Sequence, residues 1–153
     1  NGDVSFSRIS AFLPDQSNLT FKEINSDNYH DVINDKVNDV LLAITAPWCH
    51  HCKQFKPVLN VVSRLFNESN VNIKLYWIDG TSNELPDDFP HYAGYPTMFL
   101  FRTTNKTSIE FDGERTVPDI FTFMHDNGSV NFTDPSYNVT EINAEIEQLR
   151  KNQ

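Results

Sequence analysis

The stretch Ala46-Pro47-Trp48-Cys49-His50-His51-Cys52-Lys53 constrains this chain more than any other. It holds the only two cysteines, with two residues between them, and follows the apolar run Val40-Leu41-Leu42-Ala43-Ile44. So short a run of mostly branched residues predicts a buried strand over Val40 to Thr45. From Cys52 through Phe66 the pattern turns helical, with Phe55, Val58, Leu59, Val62, Leu65 and Phe66 on one face and Pro57 expected to bend it. Cys49 therefore stands where a strand hands over to a helix N-terminus. Unpaired N–H groups and the positive end of the helix dipole favour a negative charge there.

A thiolate, not a thiol, attacks a disulfide, and helix N-termini and imidazolium neighbours lower a cysteine pKa from about 8.5 to values between about 3.5 and 7.5. His50 and His51 fall in the first helical turn and can supply the imidazolium. Cys52 is one turn on, near enough to close a small ring. Cys49 is then the attacking sulfur and Cys52 the one that resolves the mixed disulfide. Trp48 offers a flat apolar surface beside the nucleophile. A purely structural bridge closing so small a ring would constrain little of the unfolded chain. A zinc site needs four ligands, and no second CxxC or CxxH completes one; His30, His91 and His125 read as surface residues.

Ala-Pro-Trp-Cys-x-His-Cys-Lys resembles the active site of the protein disulfide isomerase family, a branch of the thioredoxin fold. Pro57 follows Cys49 by eight residues, Gly94-Tyr95-Pro96-Thr97 resembles the family's cis-proline loop, and Phe111-Asp112-Gly113-Glu114-Arg115 its turn before the last helix. The resemblance spans roughly residues 20–128. It implies an α/β thioredoxin fold, with a central mixed sheet of parallel core strands and an antiparallel hairpin, flanked by helices. It also implies a cis Pro96, a Tyr95 backbone that pairs with an extended substrate, and an Arg115 that swings in to lower the pKa of Cys52. No cofactor is implied, since the cysteines carry the electrons. His51 holds a family histidine, whereas His50 replaces the usual glycine and should stabilise the Cys49 thiolate further. One departure stands out. The family places a buried Glu six residues before the first cysteine, paired with a Lys in the next strand, and here those positions hold Ala43 and Trp77. Losing both charges together is consistent, because one buried alone is costly. Water or Asp79 is left to take the proton from Cys52.

The chain has 153 residues, 39% of them apolar, enough for one domain with a proper core. The pattern divides it into an N-terminal extension over 1–18 with apolar points at Phe6, Ile9, Phe12 and Leu13, a thioredoxin-like domain over 19–128, and a C-terminal extension over 129–153 with a short amphipathic helix. Within the domain we expect strands at Leu19–Ile24, Ile73–Asp79, Met98–Phe101 and Ser108–Phe111. A helix from Asp27 to about Val37 should be capped by Ser26, with Tyr29, Val32 and Ile33 inward. Leu85–Phe89 is at most a short helix. A last helix over Val117–His125 turns Ile120, Phe121 and Met124 inward and stops at Gly128. Beyond it Val139, Ile142, Ile146 and Leu149 recur at helical spacing after an Asn138/Glu141 capping box, as a helix packed on the domain, a loosely solvated one, or a spacer or short coiled coil leading to a further segment.

A formal charge of -9 argues against nucleic acid and anionic membranes as partners. The expected partners are unfolded or disulfide-bearing proteins. Glycosylation sequons at Asn18, Asn67, Asn105, Asn127, Asn131 and Asn138 favour the secretory pathway, with the endoplasmic reticulum lumen as the expected site. The chain opens without Met and ends Arg150-Lys151-Asn152-Gln153 without a retrieval tetrapeptide, so a mature or excised form, or a membrane anchor or further domains outside it, are all expected possibilities. Two other functions stay open on sequence: a binding chaperone or adaptor module with weak redox activity, and a cytosolic thioredoxin-type reductase.

Overall fold

The computed structural model describes residues 9–153; Phe6 of the expected N-terminal extension lies outside them. The centre of the sheet is β2 (Asp39–Thr45), buried at every position. It runs parallel to β3 (Ile73–Asp79) along its whole length and antiparallel to β4 (Thr97–Phe101). The short β1 (Lys22–Ile24) pairs parallel with β3, and β5 (Ile109–Glu110) antiparallel with β4, giving the order β1-β3-β2-β4-β5. Side chains alternate across a strand, so β2 feeds two cores. Leu41 and Ala43 face one cluster with Phe55, Leu59, Phe66 and Ile120, while Val40, Leu42 and Ile44 face another with Tyr29, Ile33 and Phe89. Both faces being covered explains the unbroken apolar run.

The first cluster is roofed by α2 (His50–Glu68), α3 (Val117–Asn127) and α4 (Val139–Lys151); the second lies under α1 (Tyr29–Ile33). Pro57 lies inside α2 and is buried. Asn138 caps α4 by accepting the Glu141 N–H at 3.0 Å, and Ile142 and Ile146 are buried. Arg64 of α2 reaches both carboxylate oxygens of Glu145, at 3.2 and 2.6 Å, and Arg150 donates to the Gln54 carbonyl. The C-terminal helix is thus packed on α2. Among the described residues no helix is long and apolar enough to cross a membrane.

Several elements differ from expectation for local reasons. Helix α1 is five residues rather than about eleven, because the Asp35 carboxylate takes the N–H groups of Val37 and Asn38, both at 2.8 Å, into a turn. Ser26 does not cap it. Its buried hydroxyl donates to the Glu84 carbonyl, and Asn28, without a capping side-chain bond, precedes the helix. Strand β1 starts three residues late because Leu19 turns back on Gln16, whose side-chain amide then brackets the N–H and carbonyl of Glu23 at 2.5 and 2.9 Å. Residues 87–89 form a turn, with Phe89 N–H on the Pro86 carbonyl, and no helix. Gly128 does end α3, but with φ −74° rather than a left-handed cap; a Cβ there would meet the Met124 carbonyl at 2.7 Å. Close approach, not backbone freedom, selects glycine at that position.

Candidate active site

Cys49 is the N-cap of α2, in extended conformation, and its Sγ accepts the Cys52 N–H at 3.1 Å. The loop that delivers it is fixed by the Cys49 N–H on the Ala46 carbonyl at 3.1 Å. The two sulfurs form a disulfide, with Cα atoms 5.2 Å apart. Cys49 is 6% exposed and Cys52 1%. The helix start thus presents to Cys49 both a directed N–H and the positive dipole end, the two features that favour a thiolate once the bond is reduced. His50 and His51 occupy the first two helical positions, both exposed, with ring centroids 5.9 Å apart.

The Tyr95–Pro96 bond is cis, and Tyr95 packs against the cluster of Ala46, Cys49 and Cys52. Trp48, 70% exposed, meets the Tyr95 ring edge-on at 5.6 Å. Tyr95 in turn contacts Tyr92, and Tyr92 contacts Phe89, which reaches the buried Tyr29. An aromatic ladder therefore runs from the core to the exposed indole. Gly80, just after β3, leaves room for it; a Cβ there would come within 2.9 Å of the Tyr92 and Tyr95 hydroxyls. Tyr92 was not among the residues expected from sequence, and only its spacing of three from Tyr95 hints at its place in the ladder.

Arg115 is exposed and sits with its guanidinium carbon 5.8 Å from the centroid of Phe55, one turn after Cys52. It borders an apolar groove between α2, α3 and α4, shared with Val58, Tyr137 and Ile142. Ala43 is fully buried and in register with Trp77. Asp79 is a poor candidate to receive the Cys52 proton. Burial pushes its carboxyl up, but hydrogen bonds from Ser82 and Thr81 together outweigh that and hold it below the ordinary carboxylate value.

The structure adds a residue that sequence reasoning missed. Lys56 is half-buried, with its Nζ 3.3 Å from the centroid of Trp77, and it lines a pocket of about 220 Å³ together with Cys52, Thr45, Trp77 and Asp79. Burial lowers its pKa, opposed by the charges of Glu23 and Asp79. Its spacing of four from Cys52 was the available signal. Among the described residues no three His, Cys, Asp or Glu side chains converge as a metal site.

A thioredoxin family profile matches residues 20–126. The protein disulfide-isomerase of Ricinus communis is 35% identical over 126 residues, covering 82% of this chain and 25% of that protein. The protein disulfide-isomerase of Arthroderma benhamiae is 30% identical over 131 residues, covering 83% and 24% respectively. This chain spans about a quarter of the length of these relatives. Its structure is similar to the first thioredoxin domain of mouse protein disulfide-isomerase A4, with TM-score 0.61, 26% identity, and coverage of 84% of this chain and 94% of that one. With most of its length matched by that profile and a cysteine pair heading α2, the chain belongs to the thioredoxin family.

Proposed function

We propose that this chain catalyses thiol–disulfide exchange on cysteines of protein substrates, as a protein disulfide isomerase-like oxidoreductase. The observation that carries the reading is the Cys49–Cys52 disulfide across the first turn of α2, with the Cys52 N–H aimed at Cys49 Sγ. In the reduced protein the Cys49 thiolate attacks a substrate disulfide. A new S–S bond joins Cys49 to one substrate sulfur, and the other leaves with the electron pair as a thiolate. Cys52 then attacks Cys49 Sγ, closing the intramolecular disulfide and expelling the reduced substrate. The reverse sequence oxidises a substrate dithiol.

His50 and His51 tune the thiolate and Arg115 assists Cys52. Trp48, Tyr95 and Pro96 form the substrate surface, on which an extended chain adds to the Tyr95 backbone. The exposed Trp48 leaning on Tyr95 supports that assignment. The substrates are unfolded or disulfide-bearing proteins. The secretory pathway is the favoured compartment, supported by the exposure of Asn18, Asn67, Asn105, Asn131 and Asn138 among the six sequon asparagines.

The test is insulin reduction with three proteins. Wild type should turn over, Cys49→Ser should be inactive, and Cys52→Ala should accumulate a covalent mixed disulfide visible on a non-reducing gel. Equal activity of wild type and Cys49→Ser would leave a binding module with idle thiols.

A further inference from the structure

Lys56 is half-buried, and its place is set by three elements at once. On α2 it follows Cys52 by four residues, so the two side chains lie on one helix face. From β3, the Trp77 ring lies under its ammonium at 3.3 Å, a contact that holds a cation against leaving for solvent. Asp79 lies two residues beyond Trp77 on the same strand face. From β1, Glu23 stands in register with Trp77. Thr45 from the end of β2, Lys53, and Gln153, whose amide donates to the Lys53 carbonyl at 2.6 Å, complete the wall of the pocket into which Cys52 also opens.

We propose that Lys56 is a positioning residue for the resolving step, its ammonium held on Trp77 beside the pocket so that Cys52 attacks as a thiolate. This rests on the exchange reading above and deepens it. With Ala43 and Trp77 at the two strand positions where the family resemblance implies a Glu and a Lys, neither strand supplies that charge pair beside Cys52. The helix that carries the cysteine supplies one instead.

The titratable groups around Lys56 are Glu23, Asp79 and Lys53. Burial works against the charged lysine, and the two carboxylates oppose that. Burial also raises the Glu23 carboxyl, with Lys56 pulling it back. In the resolving step the Cys52 thiol gives its proton to water and its thiolate attacks Cys49 Sγ. The Cys49–substrate bond breaks, and the electron pair leaves on the substrate sulfur. Lys56 exchanges no atom; it stabilises the anion that forms on Cys52.

The test uses the full chain in a Cys49→Ser background, where Cys52 is the sole thiol, and follows its titration by thiolate ultraviolet absorbance. Lys56→Met keeps the stem on Trp77 and removes the charge; it should raise the Cys52 midpoint by about one pH unit or more. Lys56→Gln covers the case of a poorly folded Met variant, and Lys56→Arg should titrate like the parent. With Cys49 restored, release of substrate from the mixed disulfide should slow about tenfold at pH 7 in Lys56→Met, because each pH unit of midpoint is a tenfold change in thiolate. The deficit should close at pH values above both midpoints. An unchanged Cys52 midpoint in both Lys56→Met and Lys56→Gln would overturn the proposal. Failure of the exchange reading would appear elsewhere, as no mixed disulfide in Cys52→Ala, while the Cys52 titration still reports on Lys56.

Discussion

Cys49 and Cys52 share a bond yet belong to different surroundings. Both lie in the cluster onto which Tyr95 packs, but Cys49 caps the helix, next to the exposed Trp48 and His50. Cys52 is one turn inside the helix, more deeply buried, and opens on a pocket walled by Trp77, Lys56 and Asp79. In the proposed exchange the first sulfur needs a substrate to reach it, and its neighbours are rings at the surface and the fixed field of a helix end. The second needs only to reach the first, so it can be enclosed. Enclosure leaves a thiolate with less water to stabilise it than at the surface, and a charge from the protein makes up the difference. The contrast teaches that a cysteine pair is asymmetric because its two buried members have different neighbours.

The largest effect should come from labelling the reduced protein. At pH 7 Cys49 should alkylate on the order of a hundredfold faster than Cys52, since only thiolates react and each pKa unit is a tenfold change in their fraction. Site-resolved mass spectrometry after short exposure to iodoacetamide measures the ratio. Equal labelling would erase the contrast between the two environments.

Next in size is the coupling between Lys56 and the buried strand pair Ala43–Trp77. Ala43 and Trp77 sit side by side in the core face covered by α2. Ala43→Glu introduces a carboxylate where none is accommodated, and an uncompensated buried charge costs about 3–5 kcal/mol. The Lys56 ammonium lies over Trp77, the register partner of Ala43. Ala43→Glu should therefore cost more in a Lys56→Met background than alone, and a double-mutant cycle in urea reads the coupling. Strict additivity would mean that Lys56 does not feel the interior at this point.

The asymmetry was only half legible in the sequence. Cys49 at the head of a helix follows from the apolar run ahead of it and the periodicity behind it, both local signals. The βαβ unit of β2, α2 and β3 followed in the same way, and β3 fell over the expected residues because alternation and burial agree there. Lys56 was legible only as a spacing of four from Cys52. A lysine in an amphipathic helix reads as a solvated residue, and its burial depends on Trp77, twenty-one positions away on another element. The length of α1 was lost for a related reason. Asp35 and Ser26 are ordinary helix-region residues by type, and what diverts them is a hydrogen bond to a turn in one case and to the distant Glu84 carbonyl in the other. Pairings between elements leave little trace in a single sequence, whereas periodicity within one leaves a strong one.

The smallest expected effect sharpens the comparison from the side of stability. Burial depresses the Lys56 pKa in the folded protein, so between that value and the unfolded value of about 10.4 the unfolded chain binds the extra proton. Stability then rises with pH across that window, and the cost of the buried charge is fully present below it. Burial keeps the hydroxyls of Tyr29, Tyr76 and Tyr92 protonated to higher pH than usual. Those groups act in the opposite sense, since their contribution is present below about pH 10 and lost above it. Subtracting Lys56→Met from wild type cancels the tyrosines and leaves the lysine. The difference in Tm should move in favour of wild type by a few degrees at most as pH rises from 7 to about 10. A flat difference would mean that the ammonium is as well solvated over Trp77 as in water. Cys52 would then face a wet pocket much like the one outside, and the two cysteines would differ by position alone.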